Sequence, residues 1–121
     1  MDISELYKNI DDFVTGSGFT LDEAASLYSV FLEELKDNLK DFINAVKVND
    51  SEQAAGIIHN IKGISANYHI SAVLQIVIHI DRIFNENSLN SLDVHIASLI
   101  KEIEFTERNI VKYFAANGFS V

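Results

Sequence analysis

Asp50-Ser51-Glu52-Gln53-Ala54-Ala55-Gly56-Ile57-Ile58-His59-Asn60-Ile61-Lys62-Gly63-Ile64-Ser65-Ala66-Asn67-Tyr68 decides how the rest of this chain is read. Ala54, Ile57, Ile58, Ile61, Ile64, Ser65 and Tyr68 recur at helical spacing, so the stretch predicts a helix with one side against a core. Asp50 with Gln53 makes a box-like start. The other side carries Glu52, Ala55, Gly56, His59, Lys62, Gly63 and Ala66. Two glycines inside a helix each cost roughly 1 kcal/mol relative to alanine. Gly56 lies three residues before His59 and Gly63 four after, which stacks them below and above the imidazole. A histidine between residues with almost no side chain protrudes and can be reached, and Lys62 at i+3 can bring its ammonium near whatever the ring carries. The competing reading is close helix–helix packing at the glycines, with His59 half-buried and inert.

Outward from this helix the same periodicity continues. Upstream, Thr20 and Glu23 form a capping box, and Leu21, Ala24, Ala25, Tyr28, Phe31, Leu32, Leu35, Leu39, Phe42, Ile43 and Val46 follow it to about Val48. Such a helix spans roughly 42 Å. A short helix precedes it over about Ile3 to Val14, stopped by Thr15-Gly16-Ser17-Gly18. Downstream, Asn67 to Ser71 turns the chain into a fourth helix carrying Val73, Leu74, Ile76, Val77, Ile80, Ile83 and Phe84. Asn85 to Ser91 reads as a loop. A last helix from Leu92 carries Ile96, Leu99, Ile100, Ile103, Ile110 and Phe114, with Gly118 as its cap. The expected architecture is all-α, an antiparallel four-helix bundle with a short additional N-terminal helix covering one end. It forms a single domain over 1–121, with the N-terminal helix and loop at about 1–19 and the bundle at 20–118. A looser all-α fold of the same helices is the alternative.

Composition narrows the function. The 121 residues have room for one core. A formal charge of −9 repels phosphate backbones, which argues against nucleic acid. There is no cysteine, hence no disulfide and no thiolate chemistry, in keeping with a reducing, cytoplasmic setting. The acidic start lacks the features of a signal peptide. Between Lys62 and Asp81 no residue is formally charged, yet the segment is too short and too polar to span a bilayer, which needs about 20 apolar residues. His59, His69 and His79 recur every ten residues, and no pair sits at i, i+4, so no metal site is expected. His69, His79 and His95 read as ordinary surface or boundary residues. Without a Gly-rich nucleotide loop or clustered carboxylates, no cofactor and no ATP site are expected.

The run His59-Asn60-Ile61-Lys62-Gly63-Ile64-Ser65-Ala66-Asn67 resembles the signature of histidine-containing phosphotransfer (HPt) domains. Phe31-Leu32-Glu33-Glu34-Leu35 and the Asn49-Asp50 break are also similar to that family. The resemblance implies a phosphoryl carrier rather than an enzyme. His59 would accept the group and relay it to or from an aspartate of a response-regulator receiver domain, with a sensor or hybrid histidine kinase as the further partner. Lys62 would offset the phosphoryl charge, and Ala55, Gly56, Gly63 and Ala66 would form the surface that gives access. One departure is His69, where many members have glycine to turn between helices. Asn67 and His69 tolerate positive φ better than most residues, so the turn can still form. Asp81, about as far beyond the turn as His59 lies before it, is the candidate to hold the imidazole tautomer, the alternative being a solvated carboxylate paired with Arg82 or Lys62. The chain's length fits a stand-alone protein. The N-terminal domain of a chemotaxis-type kinase, or a domain of a hybrid kinase, fits the same chemistry. A helical adaptor without phosphoryl chemistry is the reading from a different class.

Overall fold

Five helices make up nearly all of the computed structural model, which describes residues 3–86 and 92–121. They are α1 (Ile3–Ser17), α2 (Leu21–Lys47), α3 (Ser51–Asn67), α4 (Ser71–Asn85) and α5 (Leu92–Ala116). No strand occurs among the described residues. Most of the expected loop after α4, residues 87–91, lies outside them.

The helix starts follow side-chain chemistry. Thr20 Oγ1 accepts from the Glu23 amide at 3.1 Å and the Thr20 amide donates to Glu23 Oε1 at 3.0 Å, completing the capping box. That amide hydrogen bond, first of all, holds the Glu23 carboxyl below its ordinary range. Asp50 caps α3 by accepting from the Gln53 amide at 3.1 Å. Helix α1 runs three residues past the expected stop. Thr15, Gly16 and Ser17 are weak helix formers but not breakers, and the helix ends only where Gly18 turns left-handed at φ 72°. Gly118 caps α5 in the same way at φ 86°.

Packing joins α2 to α3, α3 to α4, α4 to α5 and α5 back to α2, so these four form a closed helical bundle. Its core includes Phe31, Leu35, Phe42, Ile58, Ile61, Ile80 and Leu99, all fully buried. Helix α1 buries Leu6, Ile10 and Phe13 and packs on α5. The beginning of α2, the ends of α3 and α5, and α1 meet in one aromatic cluster. Phe13 stacks on Tyr68 at 5.4 Å and meets Tyr28 edge-on at 5.3 Å, while Tyr28 lies 5.5 Å from Phe114. The buried Tyr28 hydroxyl donates to the Tyr68 carbonyl at 3.0 Å, and burial raises its pKa well above the usual phenol range. Asn9 and Glu5 of α1 both bond the Ser71 hydroxyl at the start of α4.

Candidate functional site

His59 is the middle residue of the 17-residue α3. The helix buries Ala54, Ile57, Ile58, Ile61 and Ser65, which fixes its rotation about its axis. His59, Gly56, Gly63 and Ala66 are therefore exposed, with Ala55 and Lys62 half-buried at the margin. A Cβ built at Gly56 or at Gly63 meets no atom within 4 Å outside its own helix turn. No neighbouring helix approaches there, so close packing does not explain the glycines. What their missing side chains leave is open space on both sides of the imidazole.

Lys62 Nζ donates to Asp81 Oδ2 across α3 and α4 at 3.0 Å. The carboxylate is only 17% exposed and the lysine 37%, so the pair is partly screened from water. Asp81 thus meets Lys62, the pairing the sequence left open, and not the His59 ring. Among the described residues the imidazole has no hydrogen bond or ion pair, and His59 is exposed. Lys62 is one helical turn from His59, with its ammonium bonded to Asp81.

The turn that follows α3 forms without glycine. His69 takes φ 59°, and Asn67 remains helical as the last residue of α3. His79 and His95 lie at the surface and the boundary, as the sequence predicts, and meet each other. The His79 and His95 rings lie 5.2 Å apart across α4 and α5. Histidines sixteen positions apart on two helices leave no i, i+4 pattern in the sequence.

The Hpt domain family model matches residues 26–107, from the first turns of α2 into the second half of α5. The chain belongs to the Hpt domain family, whose members serve histidine phosphotransfer in two-component signalling as carriers without an ATP site of their own. No curated protein and no solved structure matches the chain. No helix among the described residues is long and apolar enough to cross a membrane.

Proposed function

We propose that His59 is the phosphoacceptor of a two-component phosphorelay. The observation that carries this is the exposed imidazole at mid-helix with open space over both flanking glycines, within the family-matched segment. The lone pair of one ring nitrogen attacks the phosphorus of an aspartyl phosphate on a receiver domain. An N–P bond forms as the P–O bond to the aspartate breaks, and the carboxylate leaves. The ring proton stays on the other nitrogen, and the reverse step passes the group to a second receiver. Lys62 gives up its contact with Asp81, or shares it, to offset the charge on the phosphoryl oxygens. Asp81 keeps that ammonium in place before transfer. The role expected from the sequence, orientation of the imidazole, would require the Asp81 carboxylate to leave Lys62.

Magnesium and the remaining transition-state stabilisation come from the receiver, so the chain works as a carrier and not as an enzyme, in the cytoplasm where receivers and kinases reside. The closed ring of α2 to α5, and the meeting of alternate helix ends in one aromatic cluster, support an antiparallel four-helix bundle within one domain, with α1 as its cover. A stand-alone carrier and a domain of a chemotaxis-type or hybrid kinase use the same site.

The test is incubation with a phosphorylated receiver, followed by mapping of acid-labile phosphate. All label is expected on His59, and His59→Gln removes it. Gly63→Gln slows transfer by crowding the ring, whereas Gly63→Ala transfers normally. Label on another histidine, or receiver binding without label on the wild-type chain, would favour the adaptor reading.

A further inference from the structure

The helix that carries His59 and the helix beside it hold few charges. Lys62 is the one lysine or arginine of α3, and Asp81 is the one carboxylate of α4. Residues 63–80 between them include no lysine, arginine, aspartate or glutamate. Lys62 Nζ donates to Asp81 Oδ2 at 3.0 Å, and neither side chain makes a further hydrogen bond or ion pair among the described residues. The carboxylate is mostly withdrawn from water, so water replaces its lysine poorly when that lysine turns elsewhere.

We propose that Asp81 is a positioning residue that sets how strongly His59 holds a phosphoryl group, by competing with that group for the Lys62 ammonium. The inference rests on His59 as the phosphoacceptor. A phosphoryl group on the ring brings about two negative charges to the exposed side of α3. Lys62, one turn away, is the cation of that helix that can offset them. Each contact Lys62 makes with the phosphoryl oxygens weakens its bond to Asp81, which is left partly buried with less of its partner. The unphosphorylated chain keeps the pair whole. Asp81 therefore favours free His59 over phosphohistidine. It biases the exchange, in which the N–P bond forms as the aspartyl P–O bond breaks, back toward the receiver. A carrier has to release its group, and the pair supplies a push toward release without touching the reacting atoms.

The test is the equilibrium partition of label between the full chain and a receiver domain phosphorylated on its aspartate, approached from both directions. Asp81→Asn keeps the shape and an acceptor for Lys62 but removes the charge. It should raise the ratio of phosphohistidine to aspartyl phosphate about threefold to tenfold, the range a partly screened ion pair supports. Asp81→Ser should act in the same direction. Lys62→Gln should lower the ratio, and adding Asp81→Asn to it should change the ratio by less than about twofold, because Asp81 acts through the lysine. Damage to the fold lowers labelling, so a rise separates this role from a structural one. No rise in either Asp81 variant, or an equal rise in the Lys62→Gln background, would overturn the role of Asp81 and leave His59 as acceptor. No label on His59 of the wild-type chain would overturn both.

Discussion

Two corners hold the two ends of the helix that carries His59, and their backbones are near copies. At Val48-Asn49-Asp50 the chain leaves α2, and at Tyr68-His69-Ile70 it leaves α3. Val48 and Tyr68 have φ, ψ of −94°, 8° and −95°, 8°; Asn49 and His69 have φ of 58° and 59°; Asp50 and Ile70 have −88°, 80° and −91°, 82°. The amides of Asp50 and Ile70 each reach back five residues, to the Ala45 and Ser65 carbonyls, at 2.9 Å in both cases. This is a Schellman closure in which the last residue also begins the next helix. The side chains that support it differ. Asp50 is exposed and caps α3 with its carboxylate. Ile70 makes no capping bond, is fully buried, and follows a His69 ring edge-on to Phe13 at 5.7 Å. One geometry is held by local polarity and the other by the core. The C-terminal end of the histidine helix is thus the anchored one, and the N-terminal end rests on a surface cap.

Substitutions at matched positions can break that contrast. Ile70→Ala should cost the most, about 2–5 kcal/mol, because it empties a fully buried site. Urea denaturation measures it, and a loss below about 1 kcal/mol would mean that the second corner does not depend on the core. Asp50→Ala should cost about 1 kcal/mol through the lost cap. It should also speed amide exchange at Gln53 and Ala54 while leaving Asn67 and Tyr68 unchanged; equal acceleration at both ends would erase the asymmetry. Ser65→Ala makes the second corner match Ala45 of the first. The Ser65 hydroxyl is fully buried with no hydrogen-bond partner among the described residues, so its removal should stabilise the protein by about 1 kcal/mol, read as a raised melting temperature. The smallest effects belong to the left-handed residues. Asn49→Gly should stabilise by a few tenths of a kcal/mol, and His69→Gly should give less, because it forfeits the Phe13 contact. A larger gain at His69 than at Asn49 would show that contact to be inert.

Much of this was legible in the sequence, where the signal is local. Thr20, Asp50 and Gly118 mark helix ends through bonds within a few residues, and the 3.6 period of Ala54, Ile57, Ile58 and Ile61 points His59 outward whatever the helix packs on. Positive φ at His69 followed from the residue's tolerance for it. What required the assembled molecule was contact between helices. The spacing about the turn predicts Asp81 at the level of His59, whereas its carboxylate is bonded by Lys62, one turn further along α3. His79 and His95 are sixteen positions apart, on helices whose relative rotation no local pattern encodes. The stop of α1 lies beyond the one its sequence predicts for another reason: glycine inside a helix weakens it without ending it.

Helix α1 docks on segments made much later in the chain. Asp11 accepts a 2.6 Å hydrogen bond from Tyr113, 102 residues further on, and Tyr7 meets the same Tyr113 ring edge-on at 5.2 Å. Its other anchors, from Asn9 and Glu5 to Ser71, span 62 and 66 residues. Of the five helices α1 leaves the ribosome before the others, and its partner Tyr113 belongs to the fifth. The two corners around α3 close over five residues and are ready as soon as they emerge. The anchoring of α1 is therefore complete only once the fifth helix is made. Until then the apolar face over Leu6, Ile10 and Phe13 has only its earlier partners, such as Tyr28 and Tyr68 against Phe13, to cover it.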